Sequence, residues 1–176
     1  MIPYSETLGI WRRDCNTSKR AEVAKEFIDL RHPSLDIGEP NFIGKYLGIE
    51  DNTLDGSEFN YWIDSPGYEY NTVVCLEVLE HIMNPLMFME KLKYLMSPDG
   101  KLYISTPLIP FISWYQWNEH FTEYKEANLD ILFKYAGFKI VRKRIFRPFK
   151  WWFYFTGIRP FARLMMRNII YELVKE

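Results

Sequence analysis

The sequence predicts an α/β fold with a mostly parallel central sheet and helices on both faces. Three observations carry that prediction. Asn71 to Pro107 reads as strand, helix, strand, the pattern of a right-handed parallel crossover. Lys125 to Ile145 reads as a helix closed by Gly137, followed by a further strand. The chain has 176 residues, 48% of them hydrophobic, which suits one domain with a sizeable core.

In chain order, Thr17 or Ser18 can cap a helix running to about Leu30, with Ala21, Ala24, Phe27 and Ile28 as its apolar stripe. Trp11, Arg12 and Arg13 lead into it, either as an anchored tail or as an arm that closes over a substrate. Thr72-Val73-Val74-Cys75-Leu76 is a short apolar run rich in β-branched residues, as expected of a strand buried on both faces. Glu77, Glu80 and His81 crowd polar chemistry just past its end. Asn84-Pro85 starts a helix, with proline in the first turn where its missing N–H costs nothing. Leu86, Met89, Leu92 and Met96 recur at helical spacing and can face a sheet. Ser97 to Gly100 turns the chain, and Lys101 to Pro107 is the next strand. From Pro107 to Glu126 the chain is aromatic (Phe111, Trp114, Tyr115, Trp117, Phe121, Tyr124), either an acceptor pocket wall or a lid with its own small core.

The runs VVCLEVLEHIMNP and LMSPDGKLYISTP together resemble the fourth-strand to fifth-strand region of class I S-adenosylmethionine-dependent methyltransferases, of the small type 11-like kind. The usual wording there is close to EVLEHV-DP and LKPGG-L-ISTP. His120 to Val141, HFTEYKEANLDILFKYAGFKIV, resembles the same family's following helix and strand, so the likeness covers roughly Leu35 to Val141. It implies a Rossmann-like methyltransferase fold, S-adenosylmethionine as cofactor, and methyl transfer to an O, N or C nucleophile of an unidentified acceptor.

The same resemblance implies the site residues. LDIGEPNF, Leu35 to Phe42, stands where the family holds a strand and glycine-rich loop such as LDIGCGNG. Leu35, Asp36, Ile37, Gly38 and Asn41 match, whereas Pro40 and Phe42 replace the second and third glycines, which makes the loop degenerate. Asp36 is then expected near the cofactor's ammonium group, Gly38 at the close backbone approach, and Glu39 where it offsets the cofactor's positive charge. Only about 22 residues separate Gly48 from Asn71, where the family fits strand, helix and strand. That leaves room for two short strands, Asn52 to Gly56 and Phe59 to Asp64, and shortens the fold around strands 2 and 3. Asp55 takes the ribose position, where one carboxylate can accept from both hydroxyls, and Asp64 the adenine position; both also read as solvated loop acids. Leu76 and Glu77 flank the cofactor. His81 and His120 are the candidate bases, each readable equally as a packed structural histidine. A sulfonium is already an activated leaving group, so methyl transfer demands alignment more than a strong base.

Composition bounds the rest. The two cysteines, Cys15 and Cys75, exclude a cysteine metal centre by count, and no metal site is expected. No run of about 18 apolar residues occurs, and MIPYSETLGIWRRDCN lacks the layout of a signal peptide, so the cytoplasm is the default compartment. The net charge of −1 hides a division: residues 131–171 carry ten basic side chains and no acid. Such asymmetry points to an anionic partner. Within the single domain, a leading arm and helix (residues 1–32) and a core (residues 33–146) precede a basic aromatic segment, residues 147–176. This last segment has three readings. It binds nucleic acid by phosphate contacts and stacking, the less favoured reading because no RNA-binding motif is present. It lies against an anionic membrane interface through residues 139–167, peripheral at the inner membrane surface. Or Arg163 to Tyr171 is a core or dimer helix, with Trp151 to Phe155 a seventh strand. Two functions stay open: methyl transfer to a small-molecule or lipid-linked acceptor, and a non-catalytic methyltransferase-like partner subunit acting through this segment.

Overall fold

The structure, a computed structural model, describes residues 19–38, 41–49, 51–52, 69–109, 120–148 and 166–176. The chain opens with helix α1 (Lys19–Phe27) and strand β1 (Ser34–Asp36). Helix α2 (Phe42–Leu47) and the two-residue strand β2 (Asp51–Asn52) follow. Strand β3 (Tyr70–Leu76) leads through a 3-10 turn (Leu79–His81) into helix α3 (Pro85–Leu95) and strand β4 (Met96–Leu108). Helix α4 (Glu126–Tyr135), strand β5 (Phe138–Phe146) and strand β6 (Arg167–Lys175) complete the described residues.

Among the described residues the sheet has the order β2-β1-β3-β4-β6-β5. The pairs β1–β2, β1–β3 and β3–β4 are parallel, while β6 runs antiparallel between β4 and β5. The period-2 alternation of the strands supplies both faces of the sheet. Val73 and Cys75 of β3, Leu102 and Ile104 of β4, and Ile169, Tyr171 and Leu173 of β6 pack with Phe88 and Leu92 of α3 and Leu129 and Phe133 of α4. The intervening Val74, Tyr103 and Ile170 face the other way, onto Ala21, Ala24 and Phe27 of α1 and Ile43 of α2. Each fully buried aliphatic or aromatic side chain contributes about 1.5–3 kcal/mol. The parallel core therefore holds because both faces are covered.

The capping chemistry explains the helix starts. The Asn84 side chain accepts from Met87 N at 3.2 Å, with Pro85 at the first helical position, and Asn41 caps α2. Gly137 ends α4 at φ 75°, a left-handed turn that leads directly into β5. The expected turn at Ser97 to Gly100 is built into β4. Tyr70 pairs with Met96 and Thr72 with Lys101, so these four residues stand opposite Asn71 alone.

One element differs from expectation. The core or dimer helix, one of three readings open for Arg163 to Tyr171, is a strand across its described part, β6, seated between β4 and β5. Asn168-Ile169-Ile170-Tyr171 is β-branched and aromatic, and two waiting strand edges outweigh the weaker helical spacing of Leu164, Met165 and Ile169. The seventh strand expected at Trp151 to Phe155 lies outside the described residues, as do the strand at Phe59 to Asp64 and the residues of the second strand beyond Asn52. Some of the basic excess is neutralised within the fold. Arg142 pairs with Glu172, Lys143 with Glu126 and Asp130 at 2.7 Å each, and Arg144 with Glu26 at 2.8 Å.

Candidate functional site

Strands β1 and β3 are adjacent and parallel, but the chain leaves them toward opposite sides of the sheet, β1 toward β2 and β3 toward β4. A crevice outside the carboxyl ends of such strands is where open α/β sheets take ligands. Two residues with positive φ mark this edge. Gly38, just past β1, has φ 122°, a conformation that disfavours any side chain, and an added Cβ would stand 3.3 Å from Val78. Glu77, just past β3, has φ 57° without being glycine, which costs of order 1 kcal/mol or more.

The surroundings hold Glu77 in that conformation. Its N–H donates to Ser105 O at 3.0 Å, and its carboxylate accepts from Ser105 Oγ at 2.7 Å and from Asn168 Nδ2. Arg20 of α1 adds an ion pair at 3.3 Å. Three elements, α1, β4 and β6, therefore converge on one side chain. Leu76, the last residue of β3, is half-buried and pairs with Ser105.

Asp36 ends β1 and is 3% exposed. Its Oδ2 accepts from Asn41 Nδ2 at 2.9 Å, while Asn41 Oδ1 accepts from Ile43 N and Gly44 N at 2.8 and 3.0 Å. Asn41 thus ties the strand end to the start of α2. Burial pushes the Asp36 carboxyl up to about 7, against the opposing pull of the Asn41 hydrogen bond.

Beyond Glu77 the 3-10 turn presents Glu80 and His81. Glu80 is 2% exposed, and its Oε2 accepts from Thr106 Oγ1 at 3.0 Å. Burial, then the neighbouring Glu77 charge, hold its carboxyl well above the ordinary carboxylate range. Its backbone carbonyl accepts from Phe121 N at 2.9 Å and Thr122 N at 3.2 Å, which docks the segment after β4 onto the turn. His120 is thereby brought to His81: their ring centroids are 5.0 Å apart, edge to face, and both rings are half-buried. One ligand atom from each of Glu80, His81 and His120 lies within 4.8 Å of the others, a set able to hold a divalent cation.

Of the residues singled out in the sequence, Asp36 and Asn41 are joined directly, Gly38 faces Val78, and His81 meets His120. Glu39, Asp55 and Asp64 lie outside the described residues, as do Phe111, Trp114, Tyr115 and Trp117. Sequence reasoning missed Arg20, Ser105, Thr106 and Asn168. Ser105 and Thr106 carried a signal, since β4 runs parallel to β3 and sets Ser105 level with Leu76 and Thr106 just beyond it. Asn168 carried none once its segment was read as a helix. Gly44 was also missed, although a Cβ there would stand 2.3 Å from Asp36 Oδ2.

The arrangement can cradle a ligand at Gly38, hold charge at Glu77, keep a proton on the buried Glu80, and accept a proton or bind a cation at the histidines. A family model described as a methyltransferase domain matches residues 16–143. The ubiquinone biosynthesis O-methyltransferase of Haemophilus ducreyi is 31% identical over 81 residues. That match covers 45% of this chain and 34% of the relative, so the chain spans about a third of the length of the curated relative it matches. Among solved structures, the Burkholderia thailandensis 1,6-didemethyltoxoflavin-N1-methyltransferase, with S-adenosylhomocysteine bound, superposes with a TM-score of 0.64. Identity is 11%, over 98% of this chain and 84% of that one. The [4+2]-cyclase SpnF superposes with a TM-score of 0.63 at 12% identity, over 88% of this chain and 79% of that one. At such identities the likeness is one of fold, the Rossmann-like methyltransferase fold expected from the sequence.

Proposed function

The chain belongs to the methyltransferase domain family, and from that premise we propose that it binds S-adenosylmethionine and transfers the methyl group to an acceptor. The observation that carries the reading is the pairing of Gly38 and Glu77, both at positive φ, at the carboxyl ends of the adjacent parallel strands β1 and β3. In this reading Gly38 lets the backbone approach the cofactor, and Asp36 and Asn41 shape the loop that holds its methionine portion. Glu39 offsets the sulfonium charge, Asp55 takes the ribose hydroxyls and Asp64 the adenine amino group. Leu76 and Glu77 flank the cofactor. His81 and His120 stand where a proton leaving the acceptor can be received. The acceptor is a small molecule or a lipid-linked one, reached from the cytoplasmic side, with the basic aromatic residues 147–166, short of the core strand β6, as the stretch of chain suited to an anionic surface or to a second copy.

A second reading, a non-catalytic partner subunit, is favoured by Pro40 and Phe42, which stand where two loop glycines are usual. That a [4+2]-cyclase superposes on this chain is a reminder that the fold alone does not dictate the reaction.

Incubation with S-adenosylmethionine carrying a labelled methyl group, together with fractionated small-molecule and lipid extracts, tests the proposal. Label is expected in one fraction, and should be lost with Gly38→Ala. A chain that binds the cofactor yet labels no fraction would favour the partner-subunit reading.

A further inference from the structure

We propose that Glu80, His81 and His120 form a binding site for one divalent transition-metal or zinc ion. Two imidazole nitrogens and one carboxylate oxygen are a donor set for borderline cations, and three protein ligands leave positions open for water or a substrate oxygen. The three ligand atoms lie within 4.8 Å of one another. Ligands about 2.0–2.2 Å from a shared ion stand about 3–4 Å apart, so small side-chain rotations close the site.

The surroundings are those of a built site. Glu80 is 2% exposed and oriented by the Thr106 hydroxyl at 3.0 Å, the kind of outer contact that fixes a ligating carboxylate. The two histidines come from segments after different strands. They are held together by the Glu80 carbonyl, which accepts from Phe121 N and Thr122 N, and by Ile109 N donating to Tyr124 O at 2.9 Å. Glu77, beside this cluster, has its carboxylate engaged by Ser105 and Asn168 and its charge offset by Arg20 at 3.3 Å, so the ligating charge comes from Glu80. Both histidines are half-buried, so the cluster is open to solvent on their side.

What the ion would do there rests on the methyl-transfer reading; its binding does not. With an ion bound the two imidazoles are ligands and no longer proton acceptors, so an acceptor hydroxyl entering an open position would have its pKa lowered by the ion and lose its proton to water. The oxygen would then attack the sulfonium methyl carbon as the S–CH3 bond breaks, and the electron pair would stay on sulfur to give S-adenosylhomocysteine. The inferred acceptor class is therefore a hydroxyl compound able to ligate a cation.

The test titrates the untagged full chain, after chelator treatment, with Co2+ followed by visible absorption and with Zn2+ followed by calorimetry. One ion per chain is expected, with the absorption of histidine-ligated Co2+. The double variant His81→Gln/His120→Gln is expected to bind at least a hundredfold more weakly at an unchanged melting temperature. His32→Gln, which alters the chain's third histidine, is expected to bind as wild type does. If the double variant melts early, His120→Gln alone carries the same expectation. Absence of uptake at millimolar Co2+ and Zn2+, or uptake unchanged in the histidine variants, overturns the site. S-adenosylhomocysteine titration of the same samples separates the two proposals: Co2+ uptake without cofactor binding contradicts methyl transfer and leaves the metal site standing.

Discussion

Gly44 leaves empty the space into which Asp36 places its carboxylate. A Cβ there would meet Asp36 Oδ2 at 2.3 Å. Replacing a helix glycine by alanine ordinarily stabilises by about 0.5–1 kcal/mol. Displacing a buried, hydrogen-bonded carboxylate costs about 1–3 kcal/mol, so the collision wins. Gly44→Ala should lower the urea midpoint by the equivalent of about 1–2 kcal/mol, and a raised midpoint would refute the packing argument. Asp36 itself adds a pH dependence. Its carboxyl is pushed up to about 7 from 3.8, by burial first, so between those values only the folded chain holds the proton. Stability therefore falls as pH rises through that window and the loss is complete above it, amounting to a few kcal/mol at about 1.4 kcal/mol per unit. The melting temperature of ligand-free Asp36→Asn, relative to wild type, should rise from pH 4 to pH 7.5 and then level off; a flat difference would contradict the assignment. At this scale the sequence was legible where a motif carried the residue, as for Asp36, Gly38 and Asn41. Gly44, Ser105 and Asn168 act through contacts that exist only once the strands are in register, and no local pattern announces those.

At the level of elements, β3, α3, β4, α4 and β5 were readable because period, caps and turn residues agree along each of them. Strand β6 was not, since its identity is decided by β4 and β5 rather than by its own spacing. Its buried Glu172 shows what the pairing demands. Lys101 of β4 reaches it at 2.9 Å and Arg142 of β5 forms a second ion pair, while Arg142 also stacks 4.3 Å from the Phe27 ring centroid. Burial alone would raise the Glu172 carboxyl, but the Lys101 and Arg142 hydrogen bonds outweigh it and hold it below its ordinary value. An acid lowered in this way adds stability above its unfolded pKa and loses it as pH falls through the folded one. Glu172→Gln leaves Arg142 beside a neutral amide and Lys101 with only its Asp29 ion pair at 3.2 Å, and should cost about 1–3 kcal/mol at pH 7. The deficit relative to wild type should shrink on acidification below pH 4. A cost that persists unchanged at low pH would mean packing, not charge, is what Glu172 contributes.

For the whole molecule, the sheet brings to one edge what the sequence scatters over 150 positions: Arg20, Gly38, Glu77, His81, His120 and Asn168. The fold class was legible because a strand–helix–strand unit and a helix–strand unit leave few topologies open. The strand ends of β1 and β3, where the cofactor is proposed to bind, were legible as elements, whereas the proposed ribose and adenine positions, Asp55 and Asp64, rest on the sequence resemblance. The central claim is that this edge, with a loop altered at Pro40 and Phe42, still forms an S-adenosylmethionine pocket. Calorimetric titration with S-adenosylhomocysteine tests it most directly. The account predicts one site per chain at micromolar strength, about −8 kcal/mol, weakened at least tenfold by Gly38→Ala. A folded chain that gives no binding heat at millimolar S-adenosylhomocysteine would contradict it.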